Sequence, residues 1–283
     1  MIKKILVLCA FLPFVSFGQE EDLLKDLDNT PTNEVVTSAF KSLKIVNLES
    51  TKLAAKGDFY FIVSHRFGYF DQGFKDFFGL DEANTRLQFL YGISDNFTVH
   101  VSRSGFQKAY EGAIKYKLVS QKNSGSPFDI VGFNSIAVNS ALEKVVLPKV
   151  EFSDRLSYVN QILISRKFND KLSLEVAPTY FHENYVANNN QDNSQYAVGM
   201  GGRYKLSKRW SVNVDYAAHL NRDASSNFTN PLSIGFDLET GGHVFQMHFT
   251  NSQAMHESGF LGNTAGRWDK GQIAFGFNLV RVF

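Results

Sequence analysis

From residue 58 onward, apolar and polar positions change places at almost every step. "LQFLYGI" puts Leu87, Phe89, Tyr91 and Ile93 on one side and Arg86, Gln88 and Gly92 on the other. "NFTVHVS" sets Phe97, Val99 and Val101 against Thr98, His100 and Ser102, and "LSIGFDLE" sets Leu232, Ile234, Phe236 and Leu238 against Ser233, Gly235, Asp237 and Glu239. Successive side chains of a strand point to opposite faces, so a period of two predicts strands with one apolar and one polar side. Twelve stretches qualify: 58–68, 84–93, 96–104, 109–120, 128–140, 155–168, 171–182, 195–206, 209–220, 231–239, 243–252 and 271–283. The fifth and sixth are the least regular.

The connections alternate in length. "GISDN", "QKNSGSP", "FNDK", "LSKR" and "TGG" are short, while 69–83, 141–154, 183–194, 221–230 and 253–270 are longer and polar. Only the short link near 104–109 breaks the rhythm. Short turns at one end and long loops at the other mark a membrane barrel. The expectation is an all-β fold, a transmembrane up-and-down antiparallel β-barrel of about 12 strands. Such a barrel has no free edge, so its last strand pairs with its first. In "GQIAFGFNLVRVF", Phe283 then holds the last lipid-side position. A soluble β-sandwich also alternates, but it has no reason to sort loop lengths by end. Nor does it favour Tyr and Trp near strand ends, as a lipid interface does.

Composition agrees. Aromatics make up 14% of the chain, with 27 Phe and 11 Tyr, which suits strands. The 29 basic and 28 acidic residues leave a net charge of +1, which removes the electrostatic case for nucleic acid as a partner. The opening "MIKKILVLCAFLPFVSFGQEED" reads as a signal peptide over residues 1–18: Lys3 and Lys4, an apolar run from Ile5 to Phe17, and small Ser16 and Gly18 before the cleavage point. The one cysteine, Cys9, lies inside it, so no disulfide, Cys-ligated metal or Cys nucleophile is expected after processing. Residues 19–50 read as a periplasmic or lumen-inserted segment and 51–283 as the barrel. "AFKSLKIVNLES" is a candidate thirteenth strand, but an odd count would put the two ends of the barrel on opposite sides of the membrane. Parity therefore favours an inserted or periplasmic segment.

Several stretches carry a family resemblance: "AFKSLKIVN", "SHRFGYFDQGFKDFFGLDEANTRLQFLYGISDNFTV", "RLSYVNQILISRKFNDKLSLEVAPTY", "GGRYKLSKRWSVN", "NPLSIGFDLETGGHVFQMHFTNSQAM" and "GFNLVRVF". Together they resemble an uncharacterised β-barrel family of Bacteroidetes, domain of unknown function 5777, over nearly all of the chain beyond the signal peptide. The resemblance implies an outer-membrane barrel and brings no activity or catalytic residues with it. The ending "FNLVRVF" also resembles the aromatic-terminated strand that barrel-insertion machinery recognises, which makes that machinery an expected partner alongside outer-membrane lipid.

If the apolar face meets lipid, the other face lines a lumen. The candidate lining and ligand-binding residues are Arg66, Arg86, His100, Glu111, Lys115, Arg203, Asp215, Asp237, Glu239, His248 and Asn278, together with Lys117, Glu175 and His219. Both signs are mixed, whereas an ion-selective pore biases one sign along its wall. A barrel of about twelve strands falls between ~8 strands, which side chains fill, and ~16, which leave a channel. A partly filled lumen follows. Near the closing seam, parity aims Arg66, His248 and Asn278 inward beside Gly276, with Asp237 and Glu239 close by. That grouping predicts a buried ion-pair and hydrogen-bond cluster.

Catalysis and metal binding find little support. His243 and His248 are five apart and face opposite ways on a strand. His248 and Ser252 share a face, but it is the lumen face, away from lipid substrate. No His pair has a ligand spacing with a supporting carboxylate. No cofactor is expected. The loop "YFDQGFKDFFGLDEAN" is read as a short helix over or into the barrel mouth, a cap or a gate, and "NNNQDN" as a solvated tip. The functional expectation is passage or binding of a small polar or amphipathic solute. Its rivals are a structural or assembly role in the outer membrane and a membrane-bound hydrolase.

Overall fold

A computed structural model describes residues 34–283 apart from residues 189 and 241–242. The signal peptide and the acidic stretch after it lie outside the described residues. Twelve strands follow one another: β1 (Phe59–Tyr69), β2 (Ala83–Ser94), β3 (Phe97–Ser104), β4 (Ala109–Val119), β5 (Asp129–Asn139) and β6 (Leu156–Lys167). The second half is β7 (Leu172–Glu183), β8 (Ser194–Lys205), β9 (Trp210–His219), β10 (Leu232–Thr240), β11 (His243–Thr250) and β12 (Ala274–Val282).

Each strand pairs antiparallel with its chain neighbours, and β12 pairs with β1 to close the barrel. The closing register runs from Tyr60 opposite Val282 to Arg66 opposite Gly276. Phe59 and Phe283 extend it by exchanging backbone hydrogen bonds of 3.3 and 2.9 Å. Closure leaves no unpaired edge, the condition for backbone at membrane depth. The connections β2–β3, β4–β5, β6–β7, β8–β9 and β10–β11 lie at the end that holds Phe59 and Phe283, called here the terminal end. The other connections, longer apart from the short β3–β4 link, lie at the opposite, loop end.

The two-residue period sets the wall. Leu87, Phe89, Tyr91 and Ile93 point outward and are exposed, while Arg86, Gln88 and Leu90 between them are buried. Apolar residues turn inward on several strands, as Tyr60, Ile62, Leu90 and Phe181 do, and two strands depart further. β5 and β6 turn apolar Val131, Phe133 and Leu163 inward, and they turn Asn134 and Asn160 outward, where the two amides hydrogen-bond each other. This is why these strands read as the least regular.

The inward apolar residues have a partner. Two segments of the chain occupy the lumen. The first, the N-terminal insert, enters at the terminal end, where the Val36 N–H donates to the Gln121 carbonyl at 2.9 Å. Residues 42–51 then run buried through the barrel, with a tight turn closed by Ile45 N–H to the Leu48 carbonyl at 2.8 Å. The segment returns past Ala54, whose N–H donates to Thr98 Oγ1 at 3.0 Å, and leads into β1. The second, the loop insert, is the β11–β12 connection. It folds in from the loop end and carries a short helix, α1 (Glu257–Gly262), all six residues of which are buried. Phe260 and Leu261 of α1 join Ala39, Phe40, Ile45 and Leu48 of the first insert in one apolar cluster against Val159, Phe181, Ala197 and Ala217 of the wall. Leu53 packs against a second cluster containing Val131, Phe133 and Leu163.

The wall makes room with small residues. A Cβ on Gly201 would fall 2.2 Å from Ile45 Cδ1, and one on Gly199 would fall 3.0 Å from the Leu48 methyls. The loop insert replaces the expected role of residues 69–84. That loop forms short 3-10 turns at the loop end, with Phe74, Phe77 and Phe78 exposed, and the chain that enters the lumen is 251–264. The reason is complementarity. α1 offers Phe260 and Leu261 to an alanine-lined wall, whereas the 69–84 turns keep their aromatics outside.

Candidate functional site

Polar groups on the opposite half of the wall hold both inserts, and the tip of the N-terminal insert shows how. The successive N–H groups of Val46, Asn47 and Leu48 all donate to Asp215 Oδ2, at 3.1, 2.7 and 2.9 Å. Three consecutive amides converging on one carboxylate form an anion nest built by a turn. The Asn47 side chain donates to Ser233 Oγ at 2.9 Å and Thr250 Oγ1 at 3.2 Å, and its oxygen accepts from Arg66 at 3.0 Å. β9, β10, β11 and β1 thus all grip one turn.

Deeper in, two ammonium groups face two carboxyls. Glu49 lies 2.7 Å from both Lys44 and Lys115, and Lys44 reaches Glu257 of α1 at 2.7 Å. Lys44 therefore ties the N-terminal insert to the loop insert. Lys115 also donates to the carbonyls of Leu43 and Ser50, at 3.1 and 3.0 Å. The carboxylate oxygens of Glu49 accept no well-aligned hydrogen bond, so its hold is mainly electrostatic. Lys44, Glu49 and Glu257 sit on the inserts rather than on spanning strands. Burial opposes ionisation of Glu49, but Lys115 and Lys44 outweigh it and keep the carboxyl well below its usual range. Burial also opposes the charge of Lys44, yet Glu257 and Glu49 raise it. Burial pushes Glu257 up to about 8 despite Lys44. Both lysines thus favour the ionised form of Glu49, while burial disfavours the charge of Glu257.

The remaining inward candidates divide by which insert they meet. Arg86 hydrogen-bonds Glu111 and the Met255 carbonyl, which fixes the loop insert to β2 and β4. His100 stands 3.9 Å from Glu111. Glu175 accepts the Thr51 N–H at 3.0 Å, and the hydroxyls of Thr51 and Ser165 are 2.5 Å apart. Arg203 pairs with Glu239, which also lies 3.5 Å from Lys41 at the terminal mouth. Lys117 pairs with Asp129 at 3.0 Å. His219 packs on the Phe181 ring with centroids 5.3 Å apart.

The seam cluster differs from the expected one. Arg66 donates to Asn278 at 3.3 Å, Asn278 donates to Gln246, and Gln246 donates to Asp237 at 2.7 Å. No ion pair joins Arg66 to Asp237 or Glu239, because Asn47 of the insert takes the guanidinium and Arg203 takes Glu239. His248 stays out of the network. It fills the space left by Gly276, and neither ring nitrogen has a hydrogen-bond partner. Ser252 donates to the Ala254 carbonyl instead of meeting His248. Among the described residues, no group of three or more His, Cys, Asp or Glu is placed to hold a metal.

The insert residues Lys44, Asn47, Glu49 and Glu257, and the wall residue Gln246, carry much of this site without having been singled out by period-two reading. A signal for them existed in the small inward residues Ala177, Ala197, Gly199, Gly201 and Ala217, which leave a volume that something else must fill.

The family model described as a membrane-bound beta barrel domain, domain of unknown function 5777, matches residues 40–283. The chain belongs to that family. The match begins at Phe40, so it takes in the buried part of the N-terminal insert along with the barrel. No curated protein matches the chain. Among solved structures, the NanC porin is similar with a TM-score of 0.51 and 9% identity, over 79% of this chain and 98% of that one. The KdgM porin gives 0.47 and 8%, over 80% and 98%. The outer membrane protein Omp33 of Acinetobacter baumannii gives 0.44 and 9%, over 82% and 100%. At these identities the likeness is one of fold.

Proposed function

We propose that this family member is an outer-membrane channel whose lumen is stoppered by its own chain, and that it admits a small polar or amphipathic solute when an insert shifts. The observation that carries this reading is the Lys44 clip, which joins the stopper from one end to the stopper from the other through a single buried ammonium group. A lumen filled only to support the wall has no need of two separate segments that meet in the middle. Besides the apolar packing of Ile45 and Leu48, the tip of the N-terminal insert is held by hydrogen bonds. Water or a polar solute replaces such contacts at modest net cost, about 0.5–1.5 kcal/mol per hydrogen bond.

Planar-bilayer recordings test the reading. Wild-type protein is expected to conduct weakly or in brief events. A variant lacking residues 34–56 keeps all twelve strands and is expected to give large, steady conductance steps. If the shortened variant inserts as a folded barrel and stays as silent as the wild type, the channel reading fails in favour of a structural or assembly role.

A further inference from the structure

A cavity of ≈ 200 Å³ opens at the loop end, over the C-terminal end of α1. At about 30 Å³ per water it has room for roughly seven waters, the size of a small metabolite. Its lining combines Glu183 and Arg222 with the amides of Gln195 and Asn263 and the rings of Tyr185 and Phe228. Convergent polar groups between aromatic walls are the usual make-up of a small-molecule site.

The acid and the base line the same cavity, and each is held by other groups. Glu183 accepts from Asn263 and Gln195, both at 3.0 Å. A carboxylate has about four acceptor sites, so capacity remains for a further donor. Arg222 donates to the carbonyls of Gly262 and Leu261, each at 3.0 Å, and to Thr229 at 3.2 Å, while its Nε has no partner. Gly262 and Leu261 are the last two residues of α1. Arg222 therefore caps the C-terminal carbonyls of the helix that stoppers the lumen from this side.

We propose that this cavity binds a small zwitterion of the free α-amino acid type, with its ammonium group on Glu183 and its carboxylate on Arg222, and that binding releases α1. A carboxylate is a stronger acceptor for guanidinium than a neutral carbonyl, because the bonds are charge-assisted and bidentate. A bound carboxylate thus draws Arg222 off Leu261 and Gly262, and α1 loses the donor that fastens its end. The binding step stands on this cavity alone. The release step rests on the channel reading and names its solute class and its trigger.

Calorimetric titration of the full-length, detergent-solubilised protein tests binding, with L-alanine, L-alaninamide and propionate as probes. L-Alanine is expected to bind saturably. L-Alaninamide, which lacks the carboxylate, and propionate, which lacks the ammonium group, are each expected to bind about tenfold more weakly or worse, as the loss of one charged hydrogen bond implies. Glu183→Gln and Arg222→Met are expected to weaken L-alanine to a similar degree. The probe comparison needs no variant, so it stands even if Arg222→Met fails to fold. Equal affinity for all three probes, or no binding of any, overturns the site.

Conductance recorded with and without L-alanine tests release, and more frequent opening is expected. Binding without that change overturns the latch alone. Failure of the variant lacking residues 34–56 to conduct would instead strike the channel reading.

Discussion

Asp215→Ala is expected to unplug the barrel. The substitution removes the one acceptor shared by the N–H groups of Val46, Asn47 and Leu48. Each buried donor left unsatisfied costs about 1–3 kcal/mol, so the turn faces several kcal/mol if it stays where it is. It has an alternative, because the insert can leave the lumen and give those amides to water. The strand ladder is untouched by this route. The expected result is a barrel that still migrates as a folded, heat-modifiable species on gels and conducts in planar bilayers at close to the level of the protein lacking residues 34–56. Asp215→Asn keeps an oxygen facing the nest while removing its charge, and is expected to stay mostly closed. A closed Asp215→Ala barrel would mean that the tip is held by its apolar contacts with Gly199 and Gly201 instead.

Lys115→Met is the second large effect. It takes one of the two cations from Glu49 and a donor from the carbonyls of Leu43 and Ser50. Removing the sole partner of a buried charge typically costs about 3–5 kcal/mol. Glu49 keeps Lys44 at 2.7 Å, so the cost here falls below that range but still leaves a half-compensated carboxylate. The expected outcome is again expulsion of the insert rather than unfolding, seen as raised conductance with the barrel intact. Adding Glu49→Met to the same chain removes the half-compensated carboxylate and leaves Lys44 its partner Glu257. Replacing both members of a buried pair with apolar residues is often neutral or stabilising. The double variant is therefore expected to close again. A double variant as open as Lys115→Met alone would show that the lost carbonyl contacts, not the half-compensated carboxylate, open the lumen.

The wall was legible in the sequence because lipid on one side and a lumen on the other impose a strict period of two. β2, β3, β8 and β10 show this plainly, and parity alone aimed Arg66, Arg86, Lys115, Asp215 and Asn278 inward. The contents of the lumen were less legible, for physical reasons. Residues 39–51 are buried on every side apart from Lys41, so no regular wet face forms and no period marks the segment. α1 spans six residues, too few for a helical repeat to stand out inside a long loop.

The same cause hides the partners within the lumen from the wall pattern. Arg66 was aimed correctly, but the group that met it was Asn47, which the wall pattern could not supply. β5 and β6 looked irregular because Val131, Phe133 and Leu163 face inward toward the insert's Leu53, so their disorder of pattern was itself a trace of the stopper.

A cysteine cross-link between stopper and wall asks most directly whether the chain fills its own barrel. The Thr51 and Ser165 hydroxyls are 2.5 Å apart, one on the N-terminal insert and one on β6. With Cys9 replaced, the pair Thr51→Cys and Ser165→Cys is expected to form a disulfide on mild oxidation of the folded protein, visible as a shift on a non-reducing gel, and to resist maleimide until reduced. If both thiols stay free and label rapidly while the barrel remains folded, residues 39–51 do not occupy the lumen.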